Sequence, residues 1–579
     1  MYSSSSVNQL LFFLFRDGED LTADDYQLFE ALGRSCLAQG DSGLLLKCLQ
    51  DARNQDIVRS MGHVLLVPLV HRVVKKETSV DHCQAAVAHL TTTCSPDHLV
   101  PVFLQLIEDI DPGAISETIV VIVPHLLTGL LRLQEGQAPA VGSVLSSLHR
   151  QMARLPVPYA GQQEEADAYG LGRCCTSLAA FTKTLVDEVK RKDGNCDSEL
   201  KTELLKFCMR SLKEPLLEAE LTRDRKSSLW LFAAEIMVTL PALQQTLSDI
   251  LFFSSVRKSP LTAYGESRAC LAYLLFVQLI AMETFPAVYS PQFVLQCNMD
   301  SVAELLSSKK ESHLLKGLEL YERNLESLED DSLPSGLLEL KSFYSVSQNL
   351  QQLLAECPIR RLREPGLHVL QLFINKLDVE AKHKFFRCML KTSSHPGVNG
   401  FIVKNIRNQV QYLLQLADTN RWFLGEEFVP LLELLLRLPQ AAETDLLHNM
   451  DQIMESLNLL RYLLIRDKET RISVELWSRL SRIKDQYVKT LRVCLSVSRT
   501  YYSSELKALR EKQKLKAREA RASSRPLRII PVRQDKVSSS PPEVQNQVLQ
   551  SALVTFDLME SLIIRIEELT EEKLKISNH

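Results

Sequence analysis

Apolar residues recur at spacings of three and four along most of the chain, in runs separated by short polar breaks. That period predicts amphipathic helices, and strand-like alternation is almost absent. The breaks carry helix-start chemistry. Thr22-Ala23-Asp24-Asp25 sets a capping hydroxyl before an acidic first turn. Ser95-Pro96, Asp111-Pro112, Ser259-Pro260 and Ser290-Pro291 each put a capping side chain before a proline, whose missing N–H costs nothing at the first helical position. Ser540-Pro541-Pro542-Glu543 adds a glutamate at capping-box spacing. Helices recur about every 20 residues and helix pairs about every 40, the period of HEAT and armadillo arrays. No two repeats match closely. The expected fold is all-α, an α-solenoid of degenerate HEAT/armadillo-like helical repeats.

Two segments depart from the pattern. Gln162–Asp167 is polar and follows Pro156 and Pro158, which favour extended backbone; it reads as a loop, with a soft boundary near residue 160. Glu505–Arg521 is rich in cations: Lys507, Arg510, Lys512, Lys514, Lys516, Arg518 and Arg521. It reads as a helix end dissolving into a flexible, solvated loop at about 520–542. Val544–Leu574 then returns as one long amphipathic helix. Val548, Ala552, Phe556, Met559, Ile563 and Ile566 share a face, with Asp557, Glu560, Glu568 and Glu571 off it. Leu271–Met282 is the strongest apolar stretch. It contains Gln278, stops at Glu283, and reads as a buried helix rather than a membrane span.

Composition sharpens the helical reading. About one residue in six is leucine, and only 20 of 579 are glycine. Sheets and phosphate loops need more glycine than that. With 67 basic and 71 acidic residues the net charge is −4, which excludes a globally basic nucleic-acid coat but not a local patch. The thirteen cysteines sit singly in apolar stretches, as at Cys48, Cys208, Cys270, Cys388 and Cys494. They fit reduced thiols of the cytosol or nucleus rather than a disulfide framework. Leu10–Phe15 lacks a preceding basic region and is followed by Asp17, Glu19 and Asp20, so it does not read as a secretory leader. A soluble, cytoplasmic and partly nuclear protein is expected, with no membrane insertion.

Candidate chemistry is thin. His82, Cys83, His89, Cys94 and His98 lie close in sequence, but not at the paired spacing of a zinc knuckle or ribbon. Cys174 and Cys175 are adjacent, so on a helix they point about 100° apart and make no thioredoxin-type dithiol. Tyr169-Gly170-Leu171-Gly172 lacks the third glycine and the preceding strand of a dinucleotide loop. No acid–base or nucleophile constellation stands out, and no enzyme, cofactor or metal is expected. The basic run 507–521 lacks the interleaved aromatics of single-strand binders, and no nucleic-acid partner is expected.

Several stretches resemble the glomulin family of helical-repeat regulators of cullin–RING ubiquitin ligases. They are Leu155–Tyr159, Glu203–Cys208, Leu372–Asp378, Phe386–Cys388, Ala442–Leu447, Glu455–Leu463 and Ser551–Leu558, spread along the chain in order. The resemblance implies N- and C-terminal HEAT-like parts, and with the soft boundary near residue 160 the expected division is an N-terminal HEAT-like part at 1–160, a middle helical region at 161–339 and a C-terminal HEAT-like partner-binding region at 340–579. It implies that the C-terminal part binds the RING-box subunit of these ligases beside its cullin. The surface on which the charged E2 docks is then covered, and ubiquitin transfer stops without any chemistry by the inhibitor. The family is also linked to immunophilins and to a growth-factor receptor kinase, so a general helical-repeat scaffold or adaptor is the rival reading. A transport or trafficking solenoid and an unrecognised enzyme are the others. An interface needs an apolar patch with a charged rim. Glu560, Ile564, Arg565 and Glu568 on the last helix, and the pair Arg421 and Trp422, are the candidates.

Overall fold

The computed structural model describes residues 23–76, 80–158, 160–191, 198–221, 225–253, 264–416, 420–466, 474–522 and 542–577. Apart from an isolated bridge between Leu333 and Leu377, the regular structure among them is helical. The fold is an all-α solenoid of stacked helices. The helices fall into two compact units, Met1–Ser327 and Leu328–His579.

In the first unit the α-helices are α1 (Ala23–Gln39), α2 (Ser42–Gln50), α3 (Gln55–Met61), α4 (Leu66–Val74), α5 (Val80–Thr93), α6 (Pro96–Glu108), α7 (Ile115–Leu131) and α8 (Gln137–Met152). They continue as α9 (Gly161–Ala166), α10 (Leu171–Arg191), α11 (Ser198–Ser211), α12 (Ser228–Ala242), α13 (Gly265–Phe276), α14 (Pro291–Leu306) and α15 (Glu311–Glu326). Each amphipathic helix buries its apolar stripe on its neighbours. Helix α7 packs against α4, α5, α6, α8 and α10, and Ile119, Ile122, Leu126 and Leu130 are fully buried there. A fully buried aliphatic side chain of this size contributes about 1.5–3 kcal/mol by leaving water.

The second unit holds α16 (Lys341–Glu356), α17 (Arg360–Lys376), α18 (Val379–Thr392), α19 (Pro396–Gln415), α20 (Phe428–Leu435), α21 (Met450–Ile465), α22 (Val474–Ala522) and α23 (Pro542–Ser577). Helices α19 and α21 approach closely at Gly400. A Cβ there would lie 3.0 Å from the backbone of Asp451, so any larger residue would push the two helices apart by a few tenths of an ångström.

The caps follow the sequence in part. Ser290 accepts from the Phe293 N–H, and Asp111 accepts from the Gly113 N–H, as their positions before proline predict. Ser95 precedes α6, but its hydroxyl donates to the Asp97 carboxylate instead. Ser259-Pro260, Ser540-Pro541 and Leu10–Phe15 lie outside the described residues.

Several expectations are corrected. Gln162–Asp167 is not a loop: α9 runs through it, because Glu164 turns inward, is buried, and accepts from the Leu229 N–H at 3.0 Å. The apolar stretch from Leu271 stops being helical at Phe276, where Leu279 and Ala281 take left-handed backbone. The basic run does not unwind: α22 continues unbroken to Ala522, and only 523–541 of the expected loop lies outside the described residues. Val548 is 57% exposed although it shares a face with the buried Ala552 and Phe556.

By length and composition three stretches, Ala52–Val74, Pro112–Leu131 and Glu543–Glu572, are long and apolar enough to cross a membrane, although none is an uninterrupted apolar run. In the fold Leu65, Leu66 and Val70, then Ile119, Ile122 and Leu126, then Phe556, Met559 and Ile563 are fully buried, whereas Val544, Val548, Val554, Leu558 and Ile564 of the third stretch are exposed.

Candidate protein-binding surface

The second unit ends in two long antiparallel helices. The inner face of α22 buries Leu480, Tyr487, Leu491, Cys494 and Leu495, and α23 answers with Phe556, Met559, Ile563 and Ile566. Helix α23 rests on α21 and α22 together. Polar pairs fix the register along the seam. Buried Lys484 donates to the Thr570 hydroxyl at 3.0 Å. Arg492 grips Glu567 with two nitrogens, at 3.0 and 2.5 Å. Arg499 reaches Asp557 at 2.7 Å and Glu560 at 2.6 Å. Such exposed pairs contribute about 0–1 kcal/mol each, so they set register more than stability.

The outer faces of these helices are not wholly polar. Val493 and Val497 on α22, and Leu558 and Ile564 on α23, are 45–61% exposed. Arg565 stands beside Ile564, exposed, and donates to Glu568 at 2.9 Å. The structure thus gathers Ile564, Arg565 and Glu568 into one exposed patch, apolar with a charged rim. Glu560 is held by Arg499 and only half exposed, so it orders the seam beside that patch. Val493 and Val497 were not singled out from the sequence. The signal was there: an apolar pair four apart, on the side of α22 away from its buried stripe.

Arg421 and Trp422 sit in the turn before α20, packed on α18. The Arg421 guanidinium lies 4.4 Å from the Trp422 ring centroid, a cation–π contact. Beneath it, Trp422 tilts against His383 at 5.2 Å. His383 has its Nε2 2.9 Å from the Glu427 carbonyl, and burial pushes its pKa down, so it is neutral at pH 7 and donates that bond. Trp422 is half-buried and Arg421 exposed, whereas the neighbouring Phe423 is core. This pair rests on α18, and the other candidates rest on α21 and α22.

The metal-like cluster of α5 and α6 is spread over separate contacts. His89 takes the Leu49 carbonyl, His82 the Ser42 hydroxyl, and Cys94 the Val58 carbonyl, while His98 tilts against His63. Among the described residues no three His, Cys, Asp or Glu side chains gather as a metal site. Cys174 and Cys175 are both fully buried thiols. The glycine fragment before α10 serves the helix itself. Gly170 has φ +73 and lies against Ser116, while Asp167 accepts from the N–H groups of Gly172 and Arg173, filling the place an anion would take.

Two clefts stand out. One of about 580 Å³ in the first unit is lined by Leu155, Pro215, Glu218 and Lys310, with Lys310 paired to Glu218. One of about 180 Å³ in the second unit lies between α16 and α18, lined by Phe343, Tyr344, Phe385 and Cys388. At the edge of the second, the Ser335 hydroxyl donates to the Glu380 carboxylate at 3.1 Å and accepts from Lys384 at 3.2 Å, and Lys384 pairs with Glu380 at 2.8 Å.

Stacked helices and long faces with mixed apolar and charged patches define a helical-repeat scaffold, a fold that offers extended surfaces to other proteins. The comparisons carry this further. A family model described as "Uncharacterised protein family, YAP/Alf4/glomulin" matches residues 18–552. Human glomulin is 40% identical over 577 residues, covering 96% of this chain and 95% of the human protein. Mouse glomulin is 39% identical over 575 residues, with the same coverage. The chain belongs to the YAP/Alf4/glomulin family. A solved circular tandem-repeat protein aligns at 13% identity with a TM-score of 0.20, too slight a likeness to bear on the fold.

Proposed function

We propose that this protein binds the RING-box subunit of cullin–RING ubiquitin ligases through its C-terminal region, residues 340–579, and blocks ubiquitin transfer by covering the E2-docking face. The observation that carries the reading is the 40% identity to human glomulin along nearly the whole chain. The exposed patch of Ile564, Arg565 and Glu568 agrees with it: an apolar contact with a charged rim suits a small, partly apolar docking face. Arg421 and Trp422 supply a second contact, an aromatic–arginine pair of the kind enriched at interface hot spots. Glu560 acts through Arg499, which it holds in place. Inhibition by occupancy needs no catalysis by this chain. The protein works in the cytoplasm and nucleus, where its thiols stay reduced.

The test titrates the full-length protein into a cullin–RING ubiquitination reaction at several E2 concentrations. Binding to the purified RING-box subunit, and inhibition that weakens as E2 rises, are expected. No binding, or equal inhibition at every E2 level, overturns the reading.

A further inference from the structure

The two long helices extend past the part of the unit that packs. The last buried residue of α22 among those described is Leu506, and the first of α23 is Ala552. Beyond these points every described side chain on both helices is partly or fully exposed. Val544, Val548 and Leu515 are 46–59% exposed. The two helix ends form an arm on which no described side chain is fully buried.

Along this arm the charge is unmatched. Lys507, Arg510, Lys514 and Arg518 are exposed and fall within about 80° of arc, one cation per helical turn over about 16 Å. They continue the line of Arg492 and Arg499. Lower down, α23 answers that line with Glu567, Glu560 and Asp557. In the arm it does not. Between Glu543, exposed in the first turn of α23, and Asp557 the helix contains no carboxylate, and Gln545, Asn546, Gln547 and Gln550 stand there instead. The register of Arg499 beside Glu560 and Tyr502 beside Phe556 sets Arg510 level with Leu549 and Lys514 level with Gln545. Among the described residues, none of the four cations has an ion-pair partner. Its own neighbour leaves this ladder open, although a few turns away the same neighbour closes it.

We propose that the arm is a docking site for an acidic protein segment, a helix with carboxylates about one turn apart that completes the ladder α23 leaves open. Charge complementarity on a rigid helix gives the register, and Val544, Val548 and Leu515 give the apolar contact that a protein partner uses. No aromatic side chain lies on the arm for bases to stack on, and Glu511 interrupts its charge, which disfavours a phosphate polymer. A membrane-surface helix would need a broad Trp, Phe and Leu face, which the arm lacks. Ile564, Arg565 and Glu568 lie toward the other end of α23, so binding to the arm is read without any ligase.

The test measures binding of the full-length protein to a synthetic helical peptide of about 18 residues with glutamates at three- and four-residue spacing, beside its glutamine counterpart. The glutamate peptide is expected to bind at least roughly tenfold tighter, and to weaken by a similar factor as salt rises from about 50 to about 200 mM. Replacing Lys507, Arg510, Lys514 and Arg518 together by Gln should abolish the difference between the peptides. A second variant, Gln545→Glu with Gln550→Glu, keeps every cation but supplies carboxylates from within. It should weaken the peptide while leaving the melting temperature equal or higher. No binding of the glutamate peptide, equal binding of the two peptides, or unchanged binding by either variant overturns the proposal. So does tighter binding of a single-stranded oligonucleotide or of phosphatidylserine vesicles.

Discussion

Tyr502 on α22 meets Phe556 on α23 edge to face, with ring centroids 5.5 Å apart, one turn before the last level where the two helices bury side chains, at Leu506 and Ala552. Phe556 is fully buried, and truncation there leaves a cavity that the neighbouring helices fill only in part. Phe556→Ala should cost about 3–5 kcal/mol. Chemical denaturation should show the second unit losing that stability, and limited proteolysis should release α23 early. A change under about 1 kcal/mol would mean that α23 is not held by this face.

Ile564 separates binding from folding. It is 45% exposed, so Ile564→Gln should change stability by no more than about 0.5 kcal/mol. If the patch contacts a RING-box subunit, the same change should weaken that binding at least tenfold, about 1.4 kcal/mol. Glu560→Gln is the control: it loosens an exposed pair with Arg499 and should cost about 0–1 kcal/mol of stability. Calorimetry of binding and thermal melts of the three proteins check both halves.

Glu164 should matter more than its place in a polar stretch suggests. Its buried carboxylate takes the Leu229 N–H, while Ser227 takes the Trp230 N–H, so together they satisfy the start of α12. Glu164→Ala leaves a buried donor without a partner and should cost about 1–3 kcal/mol. Glu164→Gln keeps an acceptor and should cost less. The order of the two melting temperatures is the readout.

The first unit should lose stability in alkali. Burial pushes the thiols of Cys94, Cys174, Cys208 and Cys270 up to about 12 from 9.0. A thiol with a raised pKa stabilises the fold fully below pH 9 and loses that contribution as pH climbs toward 12. Each gives up about 1.4 kcal/mol per pH unit in that window. Lys316 works the other way. Burial lowers it to about 8 from 10.5, so its share of stability grows between those values. Four thiols outweigh one lysine, and melting temperatures in reducing buffer should fall from pH 9 to 10.5. A flat or rising profile would show the thiols to be accessible.

The apolar face of most of α23, the caps at Ser290 and Asp111, and the burial of Cys48, Cys208, Cys270 and Cys494, though not of the exposed Cys388, were legible in the residues. These are local matters: a 3.6-residue period and a cap involve groups within one or two turns of each other. The family could also be read from the sequence, because blocks of residues keep their order along the whole length. Other features depended on what stood opposite in space. Glu164 looked like loop because its partner, Leu229, is 65 residues away. Val548 matched the buried face of α23 yet is exposed, because the packed part of the unit ends before it. Glu560 is tied down by Arg499, whereas Lys507, Arg510 and Lys514 have no ion-pair partner among the described residues, because the antiparallel register brings a carboxylate to Arg499 but Ala552, Leu549 and Gln545 to the three cations. The residues themselves determined that the chain is helical, which face of each helix is apolar, and which family it joins. Burial and charge pairing were decided only when distant helices met, because both depend on the atom across the gap and not on the neighbour along the chain.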